Sequence, residues 1–134
     1  MPDAGEIALS KYRLERAGEM LKTARRDLDA KDYASANNRA YYCIFHAMRA
    51  VLALTGEDYK KHSGVISRFS ERYLKTKLLS RELSKIIFMA SIIRNRSDYE
   101  DFYICSVADT KKLVSDAALF LEEVTAFLEK KYNE

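Results

Sequence analysis

Polar chemistry is concentrated in Ile92-Ile93-Arg94-Asn95-Arg96-Ser97-Asp98-Tyr99-Glu100-Asp101, directly after a strongly apolar run. A helix that changes from core-facing to polar within one turn is where a small helical protein would place a site. Arg94 ends the apolar face, and its guanidinium must meet a carboxylate, a phosphate or water. Asp98, four residues on, is within ion-pair reach. One reading is an Arg94–Asp98 pair that fixes the helix end, with Tyr42 and Asn38 beside it. The other is a cleft in which Arg94, Asn95 and Asp98 bind a phosphate or a base.

A second polar set lies in an otherwise buried helix. At roughly 100° per residue, Asn38, Arg39, Tyr42, His46 and Arg49 share one arc. Such groups must be paired or must line a cleft. His62 stands in Lys60-Lys61-His62-Ser63-Gly64, a cationic loop at the mouth of a helix, which suits a phosphate; the plainer alternative is a solvated loop with His62 or Ser63 capping that helix. Tyr41, Tyr42, Phe45, Tyr99, Phe102 and Tyr103 could stack on bases, although an aromatic stripe is more often core. Cys43 and His46 are spaced for two metal ligands, but a zinc site needs three or four, so no metal is expected. No Gly-rich phosphate loop or paired-Cys signature implies a cofactor.

The elements that position these residues are helical throughout. The chain has 134 residues with one Pro and four Gly, and Ala, Leu, Lys, Glu and Arg dominate it. Apolar residues recur at helical spacing in five segments. These are Glu6 to Ala30, Tyr33 to Leu54, Ser63 to Tyr73, a fourth that starts at Ser80-Arg81-Glu82-Leu83 and carries Ser91, Arg94, Asn95 and Asp98 on one side, and Ser106 to Tyr132, with Ser80 as a candidate N-cap of the fourth. Short connections imply antiparallel neighbours. The expectation is a single all-α domain over 1–134, core about 6–132, folded as an up-and-down bundle of four to five antiparallel helices.

The net charge of +3, from 23 basic and 20 acidic residues, is nearly balanced and does not by itself announce a nucleic-acid binder. Two cysteines cannot build a disulfide framework. No signal peptide and no apolar run of membrane-spanning length are read, so a cytoplasmic protein with no membrane partner is expected.

Three stretches together carry a family resemblance: Asn37-Asn38-Arg39-Ala40-Tyr41-Tyr42 followed by Phe45-His46-Ala47; His62-Ser63-Gly64 with Phe69 behind it; and Arg94-Asn95-Arg96-Ser97-Asp98-Tyr99. In this order and spacing the chain resembles the HEPN-domain superfamily over about residues 10 to 128. It is most similar to a small stand-alone prokaryotic branch with an Arg-x-x-x-Asp-Tyr signature. The resemblance implies a helical bundle, commonly a homodimer, often paired with a minimal nucleotidyltransferase in toxin–antitoxin-like modules. In ribonuclease members an Arg, a polar residue and a His four to six residues after the Arg form the site, and two copies meet across the dimer. Arg94 and Asn95 match the first two, and Tyr99 stands where the His would be.

Tyr, with a reference pKa near 10, is a poor substitute for His near 6.5 as a proton carrier at neutral pH. His46, from the polar arc, could replace it. Three functions are therefore in play. The first is a nucleotide- or RNA-binding partner of a nucleotidyltransferase, contacting its ligand through Asn38, Arg39, Tyr42, His46, His62, Arg94 and Asp98, with Tyr99 or Tyr103 as an acceptor for nucleotidylation. The second is a metal-independent endoribonuclease toxin using Arg94, Asn95 and Tyr99. The third is a structural dimer without ligand, which requires Arg94 and Asn38 to be buried and paired with each other.

Overall fold

The computed structural model describes residues 2–101 and 103–134. Its helices are α1 (Ala4–Asp29), α2 (Tyr33–Ala53), α3 (His62–Phe69), α4 (Glu82–Tyr99) and α5 (Val107–Tyr132), and a π-helical turn, Ser70–Leu74, prolongs α3. The described residues form an all-α bundle of five helices without strands. With the π-helical turn counted with α3, the expected ends of α1, α2, α3 and α5 hold to within one or two residues, whereas the N-cap position of α4 is Arg81 rather than the expected Ser80.

Local chemistry sets those ends. A capping box opens α1: Asp3 Oδ1 accepts from Glu6 N at 2.8 Å, and Asp3 N donates to Glu6 Oε1 at 3.0 Å. Asp32 and Ser106 cap α2 and α5 by accepting from Ser35 N and Asp109 N. Ser80 stands two residues before α4 and accepts from Glu82 N at 3.2 Å. Beyond α2 the chain turns at Gly56, whose φ of +70° suits glycine. A Cβ there would lie 2.7 Å from Glu6 Oε2.

Side-chain pairs give the helix directions. Ser10, early in α1, donates to the carbonyl of Ala50, late in α2, at 2.6 Å, so α1 and α2 are antiparallel. Ser10 also meets Tyr132 at the end of α5, 2.7 Å away. Asn37 Nδ2 donates to Thr110 Oγ1 at 3.1 Å, which aligns the starts of α2 and α5. The long helices thus alternate in direction along the chain, and α2 packs against α1, α3, α4 and α5.

Helix α2 can be central because Ala36, Ala40, Cys43, Ala47 and Ala50 expose no surface and let neighbouring backbones come close. Phe69 and Phe120, also fully buried, fill the space beside them with ring centroids 5.9 Å apart. On α4 the long apolar run serves two faces. Leu83, Ile86, Ile87, Ala90 and Ile93 are buried, whereas Phe88 is 65% and Met89 45% exposed.

Replacing Phe120 with Ala removes a fully buried ring from this packing. The variant is expected to lose about 3–5 kcal/mol, read as a lower urea midpoint with an unchanged slope.

Candidate functional site

Residues 41, 45 and 49 are four apart and form one stripe along α2. Tyr41 and Phe45 have nearly parallel rings 6.2 Å apart, and the Arg49 guanidinium carbon lies 5.9 Å from the Phe45 centroid. His62, the first residue of α3, sits on this stripe with its ring centroid 4.1 Å from that of Phe45. Its Nδ1 is 2.9 Å from the Tyr41 hydroxyl. Tyr42 meets His62 edge-on at 5.9 Å. From α4, the Arg94 guanidinium carbon stands 5.2 Å from the Tyr41 centroid, and Arg94 Nε pairs with Asp98 Oδ2 at 3.4 Å. Three helices thus converge on Tyr41.

The loop before α3 is held so that His62 reaches this place. Glu57 accepts from Arg68 at 2.5 Å, from Thr55 at 2.8 Å and from Tyr59 at 2.9 Å, and pairs with Arg72 at 3.1 Å. Burial alone would raise the Glu57 carboxyl pKa, but these bonds outweigh it and hold it below its ordinary value. Gly64 lets the Tyr59 side chain pack on α3, since a Cβ there would be 3.2 Å from Tyr59 Cβ. Lys61 precedes α3 and makes no side-chain cap; neither His62 nor Ser63 caps that helix as one expectation had it.

His62 is half-buried between like charges. Burial first, then the Arg94 and Arg49 guanidiniums, lower its pKa from 6.5, with Asp98 opposing. The imidazole is therefore neutral at pH 7. Tyr41 moves the other way, because burial raises its pKa and outweighs Arg94, so its hydroxyl keeps its proton. Two openings flank this cluster. One of about 460 Å³ is lined by Phe45, Arg49, Asp58, Tyr59, Lys60 and His62. The other, about 210 Å³ between α2 and α4, is lined by residues that include Asn37, Asn38, Arg94, Ser97 and Asp98.

A second cluster adjoins the first. Buried Arg13 of α1 donates to Asp58 Oδ2 at 3.2 Å and to the Arg49 carbonyl at 3.3 Å, and Arg49 reaches Asp58 Oδ1 at 3.2 Å. Arg49 Nε is buried without a hydrogen-bond partner among the described residues. His46 faces this group. Burial first, then Arg16, Arg49 and Arg13, push its pKa down to about 4. His46 thus belongs with the arginines of α1, and the histidine that meets Arg94 through Tyr41 is His62.

The residues expected from sequence divide accordingly. Arg94 and Asp98 pair as anticipated, but their aromatic neighbour is Tyr41 rather than Tyr42. Asn38 is exposed and accepts from Arg39 at 3.1 Å. Arg94 is 25% exposed and does not close onto Asn38. Asn95 is exposed, and Tyr99, one turn further, is 80% exposed, so neither is turned toward Tyr41. Arg96 pairs with Glu100 at 2.9 Å and lies 4.4 Å over the Tyr103 ring. Phe102 lies outside the described residues. Cys43 points to the Ala117 carbonyl, 3.9 Å away, and its buried thiol is raised to about 12. Among the described residues no group of three or more His, Cys, Asp or Glu is placed to hold a metal. Sequence reasoning missed Arg13, Asp58, Tyr59 and the Tyr41–Phe45–Arg49 stripe. The signals were an arginine four residues before Ala17 on the apolar face of α1, and the i, i+4, i+8 spacing on α2.

With this geometry in hand, the comparisons are direct. The HEPN domain matches residues 10–131, and the chain belongs to the HEPN-domain family. It is 30% identical over 118 residues to a UPF0332 protein of Thermotoga maritima, covering 88% of this chain and 89% of that one. It is 28% identical over 115 residues to a Methanocaldococcus jannaschii protein named "Putative toxin MJ0142", covering 86% and 78%. A UPF0332 protein of Archaeoglobus fulgidus is 29% identical over 111 residues, 83% and 88%. No helix among the described residues is long and apolar enough to cross a membrane.

The depressed His46 links folding to pH. Unfolded, His46 takes up a proton near its ordinary 6.5; folded, it resists until about 4. The unfolded chain therefore binds more protons in this window, and His46 makes stability fall as pH drops from about 6.5 toward about 4. Urea titrations at stepped pH should show that slope, and His46→Gln should flatten it.

Proposed function

We propose that this HEPN-domain protein binds RNA or a nucleotide through the site around Tyr41 and His62, as the helical partner of a minimal nucleotidyltransferase in a toxin–antitoxin-like module, working as a homodimer. One observation carries the ligand reading: two guanidiniums, Arg94 and Arg49, stand on either side of a neutral imidazole over an aromatic stripe, beside an opening of about 460 Å³ that also holds Lys60. Guanidiniums suit phosphate and aromatic faces suit bases. The toxin names of two related proteins agree with the module. The 80% exposure of Tyr99 makes it the better acceptor for nucleotidylation, since Tyr103 is half-buried under Arg96.

The test is fluorescence anisotropy with labelled single-stranded RNA over a salt series. Affinity is expected to fall with salt. Arg94→Ala should weaken it about 5- to 10-fold, one charge-assisted contact, and reduce the log–log salt slope by about 0.7. Absence of binding, or an Arg94→Ala protein that binds like the parent, contradicts the ligand reading.

A further inference from the structure

The HEPN site motif of α4 lacks its histidine here, yet an imidazole is present beside Arg94, delivered by another element. We propose that His62, held at Nδ1 by the Tyr41 hydroxyl between Arg94 and Arg49, is the proton acceptor of an RNA strand-cleavage reaction, so that the catalytic group reaches the site from α3 rather than from α4. This proposal rests on the RNA-binding reading above.

The geometry supplies each part. With its proton on Nδ1, His62 donates to the Tyr41 oxygen, 2.9 Å away, and its Nε2 lone pair is left free. Tyr41 is thus a positioning residue: its hydroxyl orients the ring, and in the tautomer in which it accepts from Nδ1 the Nε2 lone pair is free to act as a base. Phe45, with its ring centroid 4.1 Å from that of His62, backs the imidazole. Burial first, then the field of Arg94 and Arg49, favours the unprotonated ring, the form a base requires. The same guanidiniums suit the charge that grows on a phosphorane. Arg13 and Asp58 hold Arg49 in place through bonds of 3.2–3.3 Å, and Arg49 Nε has no hydrogen-bond partner among the described residues.

The step balances within the RNA. Nε2 of His62 takes the proton of a 2′-hydroxyl; the 2′ oxygen bonds to the adjacent phosphorus. The bond from phosphorus to the 5′ oxygen of the next nucleotide breaks, and that oxygen takes a proton from water. The products are a 2′,3′-cyclic phosphate and a 5′-hydroxyl. His62 returns its proton to the hydroxide left behind, so nothing is oxidised or reduced and no co-reactant is consumed.

The experiment follows a 5′-labelled single-stranded RNA with the purified full chain, without added metal, measuring binding and cleavage in parallel. The parent is expected to cleave, leaving 2′,3′-cyclic phosphate ends, and an all-deoxy copy of the strand should remain intact. His62→Ala and His62→Gln, each measured at RNA concentrations that saturate it, should lose cleavage by about 100-fold or more. Free imidazole should restore part of the rate to His62→Ala, which a merely structural role would not allow. Tyr41→Phe should lower the rate and remove the Nδ1–H form of His62 from its nitrogen NMR spectrum. Binding without cleavage by the parent, or cleavage at parental rate by both His62 variants, overturns the proposal and leaves the binding reading standing. No binding by the parent overturns both.

Discussion

The Tyr41 hydroxyl lies 2.9 Å from His62 Nδ1, and the Tyr41 ring faces the Arg94 guanidinium 5.2 Å away. One buried side chain thereby joins α2, α3 and α4. Burial keeps its phenol protonated, and burial together with two nearby guanidiniums lowers the pKa of its imidazole partner. A neutral ring, an uncharged hydroxyl and two cations can share a small space without mutual destabilisation. A protonated His62 would add a third cation there, opposed by Asp98.

The rest of the bundle keeps that arrangement in register. Alanines and Cys43 on α2 bring it close to its neighbours, so its stripe of Tyr41, Phe45 and Arg49 is fixed relative to α3 and α4. Arg13 crosses from α1 to Asp58 and the Arg49 carbonyl, tying the outer helix to the loop that delivers His62. Glu57, one residue earlier, anchors that loop to Arg68 and Arg72. Two successive carboxylates therefore tie the loop to α1 and α2 through Asp58 and to α3 through Glu57, and each supports the approach of His62.

Much of this was legible in the sequence. Five apolar periodicities gave the five helices, and the ends of α1, α2 and α5 fall within one or two residues because capping residues mark their starts. Arg94 and Asp98, four apart on one helix, could be paired without a structure. Contacts between elements could not. Tyr41 and Tyr42 are adjacent in sequence and equally aromatic, and only the packing of α4 decides which one meets Arg94. His46 shares an arc with Tyr42 and looked like the substitute imidazole, but burial and the field of Arg16, Arg49 and Arg13 act on it there. His62 looked like a loop residue, because the contacts that bring it in run through Glu57, Tyr59 and the gap at Gly64. The apolar run of α4 could not reveal that Phe88 and Met89 face outward, since periodicity is lost where both faces are apolar.

The central claim is that Arg94 and His62 act on one another across Tyr41, and nitrogen-detected NMR titration of the two histidines tests it most directly. His62 should titrate below 6.5 with its neutral form protonated at Nδ1, and Arg94→Ala should raise its pKa by removing a neighbouring positive charge. His46 should stay near 4 in both proteins, because its burial and the arginines of α1 are untouched. A His62 that titrates at its ordinary value and ignores Arg94→Ala would contradict the account.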